Sequence, residues 1–120
     1  MIEQLLSLSP MVRYVAILRD GTLATRSKPT TSNASAAESD RYEETIVNPT
    51  LLQLTQARGD IDCGGLNYVV VRYGNFFQVV QPTSWGHVSV CVEPAGDPVA
   101  IAGAVANVVR NNDAARDASP

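Results

Sequence analysis

The chain has 120 residues, 45% of them hydrophobic and 18% charged, and its formal net charge is -3. This size and composition predict one globular domain with a continuous core, which we place at residues 1–110. The acidic balance argues against nucleic-acid binding, which needs clustered Lys and Arg. No apolar run approaches the roughly 20 residues that cross a bilayer, and the first residues lack a signal-peptide pattern. We therefore expect a cytoplasmic protein with no nucleic-acid partner and no membrane partner.

The first elements in chain order are a short amphipathic helix and a β-hairpin. Residues 12–18 carry β-branched and aromatic side chains on both faces, which is typical of a central strand. Asp20 and Gly21 follow, and this pair suits a tight turn into a second strand at 22–26. The next stretch is rich in Ser, Thr and Ala, so it predicts a flexible polar loop at 27–39.

A helical pattern covers residues 40–58, where apolar side chains recur at helical spacing. Asn48 and Pro49 interrupt it. Either Asn48 caps a new helix with Pro49 at its first position, or the two residues kink one longer helix. We favour the new helix, and we expect Gly59 to end it as a left-handed cap.

Three strands at 66–73, 76–81 and 87–93 predict a meander. The last of them alternates valine with polar residues, which indicates a strand buried on one face only. A closing helix should begin near Pro98, where proline suits the first helical position, and 111–120 should form a polar tail. The predicted order is αββαβββα, an α+β fold.

His87 and Cys91 are the obvious pair to test for nucleophilic catalysis. Four residues along a strand separate two positions by roughly 13 Å, at about 3.3 Å per residue, so these side chains cannot act together. We expect His87 to be an ordinary surface histidine. In a cytosolic chain of this size Cys91 and Cys63 should both remain thiols.

Two acidic clusters have plainer explanations than chemistry. Asp60, Asp62 and Cys63 precede a glycine pair, and with a single histidine in the chain a turn explains them better than a metal site. Glu43 and Glu44 begin a helix, where the helix dipole favours negative charge. We therefore expect no catalytic residue, no metal ion and no cofactor, and a protein that is not an enzyme.

The strand, Asp-Gly turn and strand at residues 11–26, followed by a helix, a three-strand meander and a closing helix, is similar to the roadblock/dynein light chain domain family. The resemblance rests on this element order and on Arg19, Asp20 and Gly21. It implies a five-stranded antiparallel sheet with flanking helices, as in roadblock and profilin-like folds. It also implies a homodimer formed through the middle helix and the third strand, which regulates a small GTPase or scaffolds motor and signalling complexes. The positions that match this interface are Leu51, Leu52 and Leu54 on the helix and Tyr68, Val70 and Arg72 on the strand.

Three functions remain open at this stage. The first, which we favour, is a roadblock-like interaction module that binds itself and a small GTPase or another cytosolic partner. The second is a small-molecule sensor of profilin-like or PAS-like architecture, which would hold a ligand against its sheet. The third is an enzyme with Cys63 or Cys91 as nucleophile, which is disfavoured because the sequence places no base beside either thiol.

Overall fold

The computed structural model describes residues 1–29 and 34–117. A π-helical segment lies between the second and third helices, and otherwise the elements follow the predicted order. They are α1 (Ile2–Leu6), β1 (Val12–Arg19), β2 (Thr22–Ser27), α2 (Ala37–Tyr42), the π segment (Glu43–Val47), α3 (Asn48–Asp62), β3 (Val69–Arg72), β4 (Phe77–Thr83), β5 (Gly86–Val92) and α4 (Pro98–Asp117).

The described strands form one antiparallel sheet in the order β2-β1-β5-β4-β3, which confirms the predicted α+β class. β1 is an interior strand, as its two apolar faces indicated, and it lies between β2 and β5, which is the middle strand of the sheet. Asp20 and Gly21 have φ angles of 49° and 83°, the left-handed geometry that suits a two-residue hairpin turn. β3, β4 and β5 form the predicted meander, so β3 lies at one edge of the sheet.

The main hydrophobic core fills the space between one face of the sheet and helices α1 and α4. Leu5 of α1 is fully buried, and α4 contributes an apolar stripe at helical spacing. The buried residues of this core are Leu5, Val12, Val15, Ile17, Val79, Val88, Val90, Val92, Ile101, Ala102, Val105 and Val109. Because α1 and α4 cover this face, the opposite face of the sheet remains for α2, the π segment and α3.

The opposite face of the sheet contacts the helical stretch at 37–62. Tyr14, Ala16 and Cys91 form a smaller buried cluster there, and polar side chains surround it. β5 is consequently buried on both faces from residue 87 to residue 92, so the predicted half-exposed alternation is wrong. A strand in the middle of a sheet with helices on both sides has no solvent-facing side.

α2, the π segment and α3 follow one another without a break, so the predicted helix restart is wrong, and the helix takes in the last three residues of the predicted loop. The helix begins at Ala37, inside the stretch assigned to the 27–39 loop, of which residues 30–33 lie outside the described residues. Asn48 is no cap, because its φ of -64° and ψ of -45° are helical. Pro49 lacks an N–H, and its ring would contact the carbonyl four residues earlier in a regular helix. The π segment widens the turn directly before Pro49 and relieves this contact.

Two helix ends also differ from the prediction. α3 continues past Gly59 to Asp62, and Gly59 packs so tightly that an added Cβ would lie 2.9 Å from the carbonyl carbon of Gly65. Close approach, not a left-handed cap, is what requires glycine there. α4 continues to Asp117, so the tail predicted at 111–120 is helical through that residue, and 118–120 lie outside the described residues. Asn112 stabilises this extension by bonding Gln4 of α1.

Candidate functional site

The helical stretch at 37–62 exposes large apolar side chains on the surface of the molecule. Leu54 is 66% exposed and Ile61 is 75% exposed. Tyr42 and Ile46 are exposed on the preceding turns. Single exposed apolar residues are common, but several along one helical stretch mark a surface suited to contact with another protein.

Strand β3 offers a second type of contact at the edge of the sheet. Among the described residues it pairs with β4 only, so one row of its backbone N–H and C=O groups has no strand partner. Such an edge can pair with a strand of another chain. β3 is short, and the guanidinium of Arg72 lies 4.8 Å from the ring centroid of Phe77.

A hydrogen bond joins the helical stretch to the end of β3. The Tyr73 hydroxyl donates to Glu43 Oε1 at 2.8 Å. Burial, and then the bond to the Glu43 carboxylate, raise the pKa of Tyr73 to about 12, so this phenol keeps its proton at neutral pH. The exposed apolar residues Tyr42, Ile46, Leu54 and Ile61, together with the free edge of β3, are called the helix–strand surface below.

The residues predicted for the interface have different exposures. Leu54 and Arg72 are exposed, and Leu51 is half-buried. Leu52 is only 5% exposed, so it belongs to the interior of this chain. Two further positions, Tyr68 and Val70, are half-buried against the main core.

Beneath the helix lies a buried polar network centred on Glu44, which the sequence did not reveal. Glu44 is fully buried, and its Oε1 contacts His87 Nε2 at 2.9 Å and accepts a bond from Asn48 Nδ2 at 2.8 Å. His87 is 1% exposed, so the prediction of a surface histidine is wrong. The helix-dipole explanation of Glu44 is also wrong, because that carboxylate points into the protein.

Two further side chains complete the network from β1 and β4. The Tyr14 hydroxyl and Gln78 Nε2 each lie 3.4 Å from Glu44 Oε2, and Gln78 Nε2 also donates to Ser89 Oγ at 2.7 Å. Burial, followed by the charge of Glu44, raises the pKa of Tyr14. Two sequence features could have indicated this network. Glu44 and Asn48 are four residues apart, so they share one face of a helix, and His87 and Ser89 are two residues apart, so they share one face of β5.

The cysteines show no sign of nucleophilic chemistry. Burial, and then the charge of Glu44, raise the pKa of Cys91 well above its ordinary value, which disfavours the reactive thiolate. Residues 87 and 91 lie on one continuous strand, so the predicted separation of His87 from this thiol is retained. Cys63 is exposed, and its Sγ lies 3.4 Å from Asp62 Oδ1. Both cysteines are thiols.

A cavity of about 270 Å³ opens beside the Glu44 network. Its walls come from Ser35 and the start of the helical stretch, from β1, β4 and β5, and from the turn between β3 and β4. Asp40, Glu43 and Glu44 line one side, and aromatic rings line another. Within residues 1–29 and 34–117, no group of three or more His, Cys, Asp or Glu side chains has an arrangement able to hold a metal ion.

Comparison with known proteins identifies a solved structure that shares this architecture. No known family profile matches the sequence, and no curated protein matches it. A crystal structure of a Roadblock/LC7 domain from Streptomyces avermitilis superposes with a TM-score of 0.70 at 17% sequence identity, covering 92% of this chain and 89% of that one. The chain has the roadblock/LC7 fold. The resemblance stated from element order is thereby confirmed at the level of the fold. No helix in the described part of the chain is long and apolar enough to span a bilayer.

Proposed function

We propose that this chain is a non-enzymatic protein-interaction module that forms a homodimer through its helix–strand surface. The observation that carries the proposal is the exposure of Leu54 and its apolar neighbours on a helical stretch that the Tyr73–Glu43 bond joins to the end of an unpaired edge strand. Burying such side chains against a second copy would remove apolar area from water, at about 25 cal/mol per Å². Pairing β3 with β3 of a second copy would satisfy the free backbone groups. The fold, shared with a Roadblock/LC7 domain, supports the same conclusion.

The proposed interface includes the predicted positions with different roles. Leu54 and Leu51 would contact the second copy, and Leu52 would support the helix from inside the chain. The edge strand and its flanking residues would contribute mainly backbone groups to the interface at Tyr68, Val70 and Arg72. The half-buried side chains of Tyr68 and Val70 already contact the core of this chain.

The homodimer is tested by its mass in solution. We expect the wild-type protein at tens of micromolar to sediment at twice the chain mass of 12.8 kDa. Leu54→Asp places a charge in the interface and should give a monomer. Val99→Asp is the matched control, because Val99 is 61% exposed on α4, away from the helix–strand surface, and this variant should remain dimeric. A wild-type monomer at this concentration would refute the homodimer.

We further propose that the dimer regulates or scaffolds a small GTPase or another cytosolic protein. A homodimer of interaction domains leaves its remaining surface available for a different partner. Affinity capture from native lysate, in the presence of a non-hydrolysable GTP analogue or of GDP, tests the GTPase. Enrichment of a GTPase in one nucleotide state, with the wild type and Val99→Asp but not with Leu54→Asp, is expected. Capture of no GTPase in either nucleotide state would contradict this part of the proposal.

A further inference from the structure

Strand β2 forms the edge of the sheet opposite to β3, and among the described residues it pairs with β1 only. The two-residue hairpin turn closes on the hydrogen-bonded pair of Arg19 and Thr22. In an antiparallel pair, alternate residues of a strand bond to the same neighbour, so every second residue from Thr22 bonds to β1. The bond from Lys28 N to Arg13 O at 3.0 Å continues this alternation just beyond the strand.

The intervening residues of β2 direct their backbone groups away from β1. These residues are Leu23, Thr25 and Ser27, and the last two are exposed. Within residues 1–29 and 34–117, no loop or side-chain hydrogen bond reaches their N–H and C=O groups. Such an edge is a template for an additional strand, whose own backbone would satisfy these donors and acceptors.

A groove lies on each face of the sheet at β2. On the face covered by α1 and α4, a groove of about 690 Å³ includes Thr22 and Ala24 in its lining. On the face covered by the helical stretch, a groove of about 430 Å³ includes Leu23, Thr25 and Ser27. Successive side chains of an added strand point to opposite faces, so they would enter the two grooves in turn.

The groove on the α1 and α4 side, called the α1–α4 groove below, combines apolar walls with positive charge. Ile2 and Ile17 contribute to its walls. Arg19 and Arg116 also line it, and neither forms an ion pair with a described residue. Asp20 is the single carboxylate among the lining residues. The groove therefore carries an excess of positive charge, although the net charge of the chain is -3.

Arg19 is held in a position from which it can bond to a carboxylate. Its guanidinium lies 3.8 Å from the centroid of the Trp85 ring, and Trp85 Nε1 donates to Asp113 Oδ1 at 3.1 Å. A ring below the guanidinium plane orients it without neutralising its charge, and the N–H groups on its edge stay available.

A second copy of this chain does not suit this edge. In an antiparallel β2–β2 pair, the two copies would present α1 and α4 on the same side of the joined sheet. The second copy would then bring its own Thr22, Ala24 and Arg26 to the α1–α4 groove. The first two are too small to fill an apolar groove, and the third would face Arg19 and Arg116 with a like charge.

We propose that an extended acidic segment of another protein adds to β2 as an additional strand. Its backbone would bond to the outward groups of β2. Side chains at alternate positions, an aliphatic residue flanked by carboxylates, would occupy the α1–α4 groove and pair with Arg19 and Arg116. Short hydroxyl side chains between them would face the other groove, whose lining is mixed in charge. The proposed dimer uses the opposite edge, so the inference goes beyond that dimer and does not depend on it.

The test uses the blocked peptide acetyl-Thr-Glu-Thr-Val-Thr-Glu-Thr-amide with the ¹⁵N-labelled protein. We expect saturable NMR shifts along β2 and slower hydrogen exchange of the amides of Leu23, Thr25 and Ser27. The amides of Ala24 and Arg26 already bond to β1, so their exchange should change little. No saturation at millimolar peptide, or binding that leaves the three outward amides unprotected, would overturn the proposal. Protection of these amides in the protein alone, rising with its concentration, would assign the edge to a second copy and would also overturn it.

Two control peptides separate the contributions of charge and backbone. Replacing both glutamates with lysine turns attraction at the two arginines into repulsion, and this peptide should bind at least about tenfold more weakly. N-methylation of the central valine and the threonine before it removes two neighbouring N–H groups, one of which faces β2 in either strand direction. This peptide should also bind at least about tenfold more weakly. Equal binding of all three peptides would refute strand addition.

Matched variants locate the site. Thr25→Pro removes an outward N–H group and no bond to β1, and it should abolish binding in a protein that stays folded, because edge strands tolerate proline. Arg116→Glu should weaken binding of the glutamate peptide about tenfold and strengthen binding of the lysine peptide. Arg110→Glu makes the same change at an exposed position of α4 outside the groove, and it should alter the affinity less than about twofold.

Leu54→Asp should bind the peptide as the wild type does, so failure of the dimer and failure of this site are distinguishable. If Arg116→Glu behaved like Arg110→Glu, the peptide would not lie in the α1–α4 groove and the proposal would be wrong.

Discussion

Removing the carboxylate of Glu44 should destabilise the fold more than any other loss of a single charge in this chain. Glu44→Ala leaves the side chains of His87 and Asn48 buried without their closest partner. An orphaned buried polar group costs about 1–3 kcal/mol, and the loss of this carboxylate leaves more than one such group behind. We expect a loss of about 3–5 kcal/mol, a large share of the 5–15 kcal/mol that is typical of total stability.

Urea denaturation followed by the fluorescence of Trp85, the single tryptophan, measures this loss. With a slope of about 1.5 kcal/mol per M, the midpoint should fall by roughly 2 M or more. Glu43→Ala is the control, because that neighbour is half-buried with one hydroxyl bond, and its loss should stay near 1 kcal/mol. A double-mutant cycle with His87→Ala should give a coupling above about 1 kcal/mol. Equal effects of the two glutamate variants, or additive effects in the cycle, would refute the network.

Three further predictions concern other parts of the chain. Gly86→Ala should abolish folding, because a Cβ at this φ of 151° would lie 1.9 Å from a carbonyl oxygen of β1. At Gly103 an added Cβ meets no atom within 4 Å, so Gly103→Ala should raise thermal stability by about 0.5–1 kcal/mol. A soluble, folded Gly86→Ala protein would contradict the first part. Asp40→Asn should be more stable than wild type near pH 7. The folded-state pKa of Asp40 is raised, so its ionised form opposes folding, and the difference measured by thermal melts should vanish as pH falls below about 4. A thiol reagent should modify Cys63 in the native protein and Cys91 only after unfolding; rapid reaction of both would show that β5 opens readily.

The strands could be predicted because each carries a local signal. Runs of β-branched and aromatic residues identified β1 and the meander, and the Asp20 and Gly21 pair located the hairpin turn. The interior position of β1, with a strand on each side, followed from its two apolar faces. These features depend on residues close together in the chain, so the sequence alone was sufficient.

The Glu44 network could not be predicted, because its members meet only after the helix has packed on the sheet. His87 and Glu44 are separated by 43 residues and come from different layers. In sequence each has an ordinary alternative, a surface histidine or a helix-dipole glutamate. The continuous helix was missed for a similar reason, since Asn48 beside Pro49 is a sound local stop signal that the wider π turn overrides.

The π segment has a consequence for how this helix compares with others. Its i→i+5 bonding accommodates one more residue per turn than an α-helix, so the residues before it are rotated by about 100° relative to those after it. Deleting any one residue of Glu43–Val47 would rotate α2 by that angle relative to α3 and would move Tyr42 to a different face of the helix. An alignment of this stretch with a regular helix therefore stays in phase on only one side of the segment unless a single gap is opened within it.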